Sequence, residues 1–455
     1  MITPLLLIFL IISNQCYENN NTFLRHLQGS SSSSTNSYDY SDYSAEKTVS
    51  STETISSDIS TTTAGASALY VTSTGEATVG TYTITKSGDY TDDIETCEFY
   101  GVNAAVLVNG GNATFSGTTI NTSAKGANAV FATNSGTITI SNSVITSTGS
   151  SSARGLDATY GGKITGTNVS ITTDNGSCAT LATDRGEGTV SCSQCTLVTN
   201  GAGSPVIYST GDISISNTIG TANAAQMVVV EGKNSATVSS STLKCAGNGN
   251  RDSGADKCGV MIYQSMSGDA DDGIGSFTAS DSTMEILSTS SVYSSAPMFF
   301  VTNTEATITL SNVTFSYGSN IFIDIEGTSE WGTEGSNGGD VTMTVTGQTI
   351  VGDIVVDDYS SLTLYLNNSS SFKGTINSAQ SSGTIEIIID STSTLTLTGE
   401  SYITTLTNSD SENSNIDGDY TLNIGTNSNS SNTNDGSNFL KRSLICFILV
   451  LVGLF

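Results

Sequence analysis

From residue 105 the chain repeats one short pattern. The lines "AVLVNGGNATFSGTTI", "AVFATNSGTITISNSVI", "GLDATYGGKITGTNVSI", "ATLATDRGEGTVSCSQCTL", "PVIYSTGDISISNTI" and "MVVVEGKNSATVSSSTL" begin at residues 105, 129, 155, 179, 205 and 227, 22 to 26 residues apart. Lines of the same form start at residues 298, 353 and 385, with insertions between them. Each opens with a short apolar strand, passes a turn of Gly, Asn or Thr, continues as an alternating strand and closes on a polar turn. One such unit cannot bury its own apolar face, so the units must stack.

Short strands at this period, stacked on parallel neighbours, make an all-β fold: a right-handed parallel β-helix solenoid. About eleven coils at the ordinary strand spacing give a rod on the order of 50 Å long. Recurrent Thr and Asn at equivalent turns predict side-chain ladders. The composition agrees, with 46 Gly, 3 Pro and only 12% charged residues, a turn-rich balance in which no helix is expected. The solenoid is read over residues 68–408, between a Ser/Thr-rich disordered arm (17–67) and an Asn/Ser-rich stalk (409–438).

The net charge of −28, with 14 basic residues in all, repels a phosphate backbone and excludes nucleic acid as a partner. At the N-terminus, "MITPLLLIFLIISNQC" reads as a signal peptide over residues 1–16. At the C-terminus, "SLICFILVLVGLF" is too short to span a bilayer. It follows a polar spacer with small residues at Asp435, Gly436 and Ser437, the pattern of a glycosylphosphatidylinositol attachment signal over residues 439–455. Together these predict a secreted protein anchored to the outer face of the plasma membrane.

Removing both signals leaves Cys97, Cys178, Cys192, Cys195, Cys245 and Cys258, an even number in a chain expected to be oxidised. Cys245 and Cys258 flank a Gly-rich loop and are expected to pair; Cys178 is expected to join Cys192 or Cys195. Glycosylation sequons stand at Asn112, Asn121, Asn168, Asn175, Asn312, Asn367, Asn368 and Asn429, each expected on an exposed turn.

Lines such as "GANAVFATNSGTITISNSVITSTG" and "ARGLDATYGGKITGTNVSI" resemble the pectin-lyase-like right-handed β-helix repeats, and within them adhesin-like and autotransporter-passenger-like surface proteins. The resemblance implies the fold but no particular activity, because this scaffold carries lyases, hydrolases, adhesins and inert coats. Enzymes of the superfamily would be expected to offer a His near paired aspartates, or an Asp cluster for calcium with a basic residue. The single His, His26, lies outside the repeats, and none of those catalytic motifs is reproduced.

Three local features could carry chemistry. Asp157 interrupts an apolar column read as Leu107, Phe131, Leu181, Ile207, Val229, Ile262, Phe300 and Ile323. Arg154 or Arg185 could pair with it, and Asp184 and Glu187 follow one coil later, so a two-carboxylate glycosidase site is conceivable there. Asp269, Asp271 and Asp272 in "GDADDGIG" could surround calcium, the one cofactor the sequence admits. Trp331, the only Trp, could offer a sugar-stacking platform or pin its own loop.

The expectation is a surface-displayed adhesin or glycan-binding coat protein without catalysis, meeting extracellular glycans or the surfaces of host or neighbouring cells. The alternatives are a polysaccharide-active lyase or hydrolase and a passive coat.

Overall fold

The computed structural model describes residues 35–249, 254–425 and 439–440. The signal peptide, Asn429, the attachment residues 435–437 and nearly all of the C-terminal apolar run lie outside these.

The chain winds as a right-handed parallel β-helix in which each coil contributes one strand to each of three sheets. The first sheet has 12 strands, from Ala45–Val49 to Asp353–Val356, and the second has 14, from Thr52–Ile55 to Thr405–Asn408. The third has 10, ending at Thr314–Ser316, and a four-stranded sheet begins at Thr349–Val351. Fourteen strands at the usual spacing make a rod on the order of 60 Å. The solenoid thus starts at Ala45, not Ala68, and its last strands, Ile416–Asp417 and Leu422–Ile424, lie in the segment read as a stalk. The Ser/Thr-rich composition hid these end coils, because a solenoid strand needs only alternate apolar residues and "TETI" supplies Ile55 alone.

Parallel register puts like residues above one another. In the second sheet Ala113, Ile138, Ile164, Val190 and Ile213 pair coil after coil and point inward, while the Thr and Ser between them face solvent. The turn from second to third sheet holds Asn142, Asn168, Asn217 and Asn312 at φ of 49° to 54°, a left-handed conformation that Asn tolerates better than most residues. There Asn168 Nδ2 donates to Asn142 Oδ1 at 2.8 Å, and Asn312 Nδ2 to Asp281 Oδ1 at 2.8 Å. The expected ladders are present, and the sequons Asn168 and Asn312 belong to them. Of the other described sequons, Asn112 and Asn368 are exposed and Asn121, Asn175 and Asn367 are half-buried.

Among the described residues one helix, α1 (Ile94–Tyr100), breaks the expectation of an all-strand chain. Its ends are coded locally: Asp93 caps it by accepting from the Glu95 N–H, and Gly101 closes it at φ 72°. A Cβ on Gly101 would sit 2.4 Å from a ring carbon of Phe131, so this glycine also lets the helix lie flat on the first sheet.

The cysteines pair differently from the expectation. Cys192 and Cys195 form a disulfide with each other, while Cys97, Cys178, Cys245 and Cys258 are buried free thiols. Cys245 lies in the main core inside the coils, whereas Cys258 packs with Val229, Met261 and Phe300. Cys178 stands where the third sheet returns to the first, its Sγ beside the carbonyls of Gly149 and Gly176. Cys192 and Cys195 stand where the second sheet turns into the third. Gly166 stacks against Cys192, and a Cβ there would lie 2.9 Å from its Sγ, so the glycine leaves room for the bridge.

Candidate functional site

The first sheet is covered on both faces, which explains its nearly continuous apolar strands. Its inward residues run Val106, Val130, Leu156, Leu181, Ile207, Val228, Val260, Phe299 and Ile323. Its outward residues run Tyr70, Leu107, Phe131, Asp157, Ala182, Tyr208, Val229, Met261, Phe300 and Asp324. The column read from the sequence mixed the two faces, since Leu181, Ile207, Ile262 and Ile323 belong inside.

Two covers lie on the outward column. At the N-terminal end, Tyr40 and Tyr43 pack over Tyr70, Leu107 and Phe131. Tyr40 Oη donates to the carbonyl of Tyr100 at 2.7 Å, tying this segment to α1. The stretch "YDYSDY", read as part of a disordered arm, is therefore docked by its tyrosines. At the other end, the insertion carrying Trp331 folds over Val229, Met261 and Phe300. Asn337 holds that insertion in shape by donating to the carbonyls of Thr328 and Trp331.

Between the covers a cleft of about 250 Å³ opens over the middle of the sheet, bordered by Glu98 of α1, Arg154, Asp184, Tyr208, Gln226, Asp256, Tyr263, Asp269 and Trp331. Three features that are remote in sequence meet here. Arg154 Nη1 lies 2.9 Å from Asp157 Oδ2 and 2.6 Å from Asp184 Oδ2. Arg185 pairs with Asp269 at 2.8 Å and places its guanidinium 3.8 Å from the ring centroid of Phe99. Lys233 bridges Glu187 at 2.7 Å and Asp271 at 3.0 Å. Asn128 registers α1 against this network: its Nδ2 donates to the Cys97 carbonyl at 2.9 Å and its Oδ1 accepts from the Arg154 N–H at 3.1 Å.

Asp157 is 0% exposed and Asp184 3%. Burial drives both carboxyls above the usual range against the pull of Arg154, and Asp184 reaches about 8, with Asp157, Asp269 and Glu98 adding to the rise. One guanidinium cannot neutralise two buried carboxylates, so near neutral pH the cluster retains a proton. Of the carboxylates considered for catalysis, Asp157 and Asp184 are brought together, while Glu187 is turned to Lys233 at the rim. Asp157 is sealed beneath the cleft; Asp184 reaches it.

Asp269 and Asp271 of the expected calcium loop face cations, and among the described residues no group of three or more His, Cys, Asp or Glu is arranged to hold a metal ion. Asp272 is half-buried beside them. Trp331, 5% exposed, meets Tyr263 edge-on at 5.1 Å and serves mainly to pin its insertion.

The open rings belong to residues that the sequence reading passed over. Tyr208 and Tyr263 are half-buried, and their hydroxyls donate to Glu231 Oε2 at 2.7 and 2.8 Å. Ser265 Oγ donates to the other oxygen, Oε1. Glu231, buried under the cleft wall and raised by burial against these three donors, fixes where both rings stand. The legible signal was register: Tyr208 shares the column of Asp157, two coils on.

No family model matches the chain, and no curated protein matches it.

Proposed function

We propose that the protein binds extracellular carbohydrate in the cleft between α1 and the Trp331 insertion, displayed as a surface rod. The observation that carries this reading is the pairing of Tyr208 and Tyr263, held by Glu231, with a wall of hydrogen-bonding Asp, Glu and Gln side chains. Flat apolar rings beside polar groups suit a sugar, which presents a C–H face and an edge of hydroxyls. The terminal signals read in the sequence support secretion and lipid anchoring, and the pectin-lyase-like resemblance supports an extended glycan as ligand.

A second reading, glycoside hydrolysis, is favoured by one specific observation: Asp184, a cleft carboxyl that keeps its proton near neutral pH, is the state a general acid requires. Incubating the protein with polysaccharides and cell-wall fractions, with and without calcium, separates the two. Retention without new chain ends, lost in Tyr208→Ala, is the expected result. New chain ends that disappear in Asp184→Asn would make it an enzyme, and no retention on any glycan would overturn both readings.

A further inference from the structure

A second pocket, of about 500 Å³, shares no lining residue with the cleft but uses the same insertion, with Gly335 and Ser336 forming one wall. The lining continues across the start of the second sheet on three successive coils, where Asp340, Ser361 and Thr384 stand in register. Glycines beside them let the turns stack closely: a Cβ on Gly338 would lie 2.3 Å from the Tyr359 carbonyl oxygen, and one on Gly383 2.2 Å from that of Asp357. Between those contacts Asp358 and Tyr359 are exposed, Tyr359 by 47%. Gly335, at φ 85°, passes the hydroxyl end of the ring, where a Cβ would lie 3.8 Å from Cζ and Oη.

This lining excludes most ligand classes. Among the described residues that form it none is cationic, so a phosphate, sulfate or uronate would find no counter-charge. Its two carboxylates are already engaged, Asp340 Oδ1 by Ser361 Oγ at 2.8 Å and Asp358 Oδ1 by the Ser382 N–H at 2.6 Å and Oγ at 3.0 Å. Tyr359 is the one large apolar side chain among these residues, too little to hold a lipid.

A neutral sugar fits what remains. The hydroxyls of Ser336, Ser361, Ser382 and Thr384 can each donate or accept. Both bonds to Asp358 fall on Oδ1, so Oδ2 is open to the hydroxyls of a ligand, and the Tyr359 ring offers an apolar platform for a C–H face. We infer that this pocket is a second carbohydrate subsite, selective for uncharged sugars and built on Tyr359. It extends the carbohydrate reading to residues that the cleft does not use, and each site can fail without the other.

The full-length protein is titrated calorimetrically with neutral hexamers of glucose, mannose and N-acetylglucosamine, and with a galacturonate hexamer. One ring and a few hydroxyls support a Kd on the order of 1 mM, too weak to retain the protein on a polysaccharide once the cleft is lost. At least one neutral hexamer is expected to show this weak site beside a tighter one. Tyr359→Ala should abolish the weak site with an unchanged melting profile, and Tyr208→Ala should abolish the tighter one alone.

A single site that disappears in Tyr208→Ala and ignores Tyr359→Ala would overturn the subsite and leave the cleft standing. A single site that disappears only in Tyr359→Ala would remove the cleft reading and leave the subsite. Equal or tighter binding of galacturonate at the site dependent on Tyr359 would overturn its selectivity, and no binding of any hexamer would overturn both sites. The comparison of wild type with Tyr359→Ala decides even if Tyr208→Ala does not fold.

Discussion

Arg154 and Asp184 stand on successive coils, 30 residues apart, and meet at 2.6 Å beneath the cleft, with Asp157 sharing the same guanidinium nitrogen. This junction ties the floor of the cleft to its wall. It costs desolvation of three charged groups, and it is stable only as a unit. Replacing Arg154 with Met strands two buried carboxyls and is expected to lower unfolding free energy by about 3–5 kcal/mol. Adding Asp157→Asn should recover part of that loss in urea denaturation, since one stranded charge is then removed. An additive loss in the double variant would show that the two residues do not share an interaction.

Asp324 stands one coil before Val355 near the C-terminal end of the outward column, and its Oδ1 is buried without a hydrogen-bond partner. Burial pushes its carboxyl up from 3.8 to about 7, with Glu326 and Asp357 adding to the rise. The folded chain then keeps a proton that the unfolded chain releases, so this group's contribution is intact below the unfolded value and fades as pH climbs through the folded one. Asp324→Asn should melt higher than wild type above neutral pH, with the difference vanishing towards pH 4. Asp184 has the same sign, so the wild-type curve will slope in both proteins and the difference between curves is the quantity to measure. A difference independent of pH would refute the assignment.

Lys86 is fully buried near the N-terminal end of the solenoid, where its Nζ donates to the carbonyls of Thr63 at 2.9 Å, Ser87 at 2.9 Å and Gly88 at 3.0 Å. It shares two of these oxygens with other donors, Asn103 Nδ2 reaching the Gly88 carbonyl at 3.2 Å and the Ala66 N–H the Thr63 carbonyl at 3.4 Å. Lys86→Met matches its length but removes three charge-assisted hydrogen bonds, and a loss of about 2 kcal/mol is expected by chemical denaturation. Destabilisation below about 0.5 kcal/mol would mean that water replaces the ammonium freely.

The repeat period made the solenoid legible because every coil must place apolar side chains at the same two or three positions. The end coils were not legible, since they keep few of those positions, as "TETI" and "IST" illustrate. The residues of the cleft were partly readable: Asp157, Arg154, Asp184, Asp269 and Trp331 each broke a local pattern. That they converge was not readable, because convergence depends on register across coils and on an insertion more than 60 residues beyond Asp269 folding back over the sheet. Tyr208 and Tyr263 broke no pattern at all, an aromatic residue in a strand being ordinary. The helix α1 was written in "DIETCEFYG", with a capping Asp and a closing Gly, but seven residues are too few for periodicity to show.

Cysteine chemistry gives the most direct check of the winding itself. Cys192 and Cys195 enclose a loop of very few residues, so their bridge restricts the unfolded chain only modestly, by about 2 kcal/mol in the chain-entropy picture. The thiols of Cys97 and Cys245 are pushed up to about 12 and that of Cys178 to about 11, in each case chiefly by burial. A buried thiol with so little thiolate reacts slowly. Iodoacetamide applied to the native protein should leave the peptides holding Cys97, Cys178, Cys245 and Cys258 unmodified, and denaturant should expose all four together. Peptide mapping should also recover Cys192 and Cys195 within one oxidised peptide. A Cys245–Cys258 crosslink would overturn the assignment of both as free thiols.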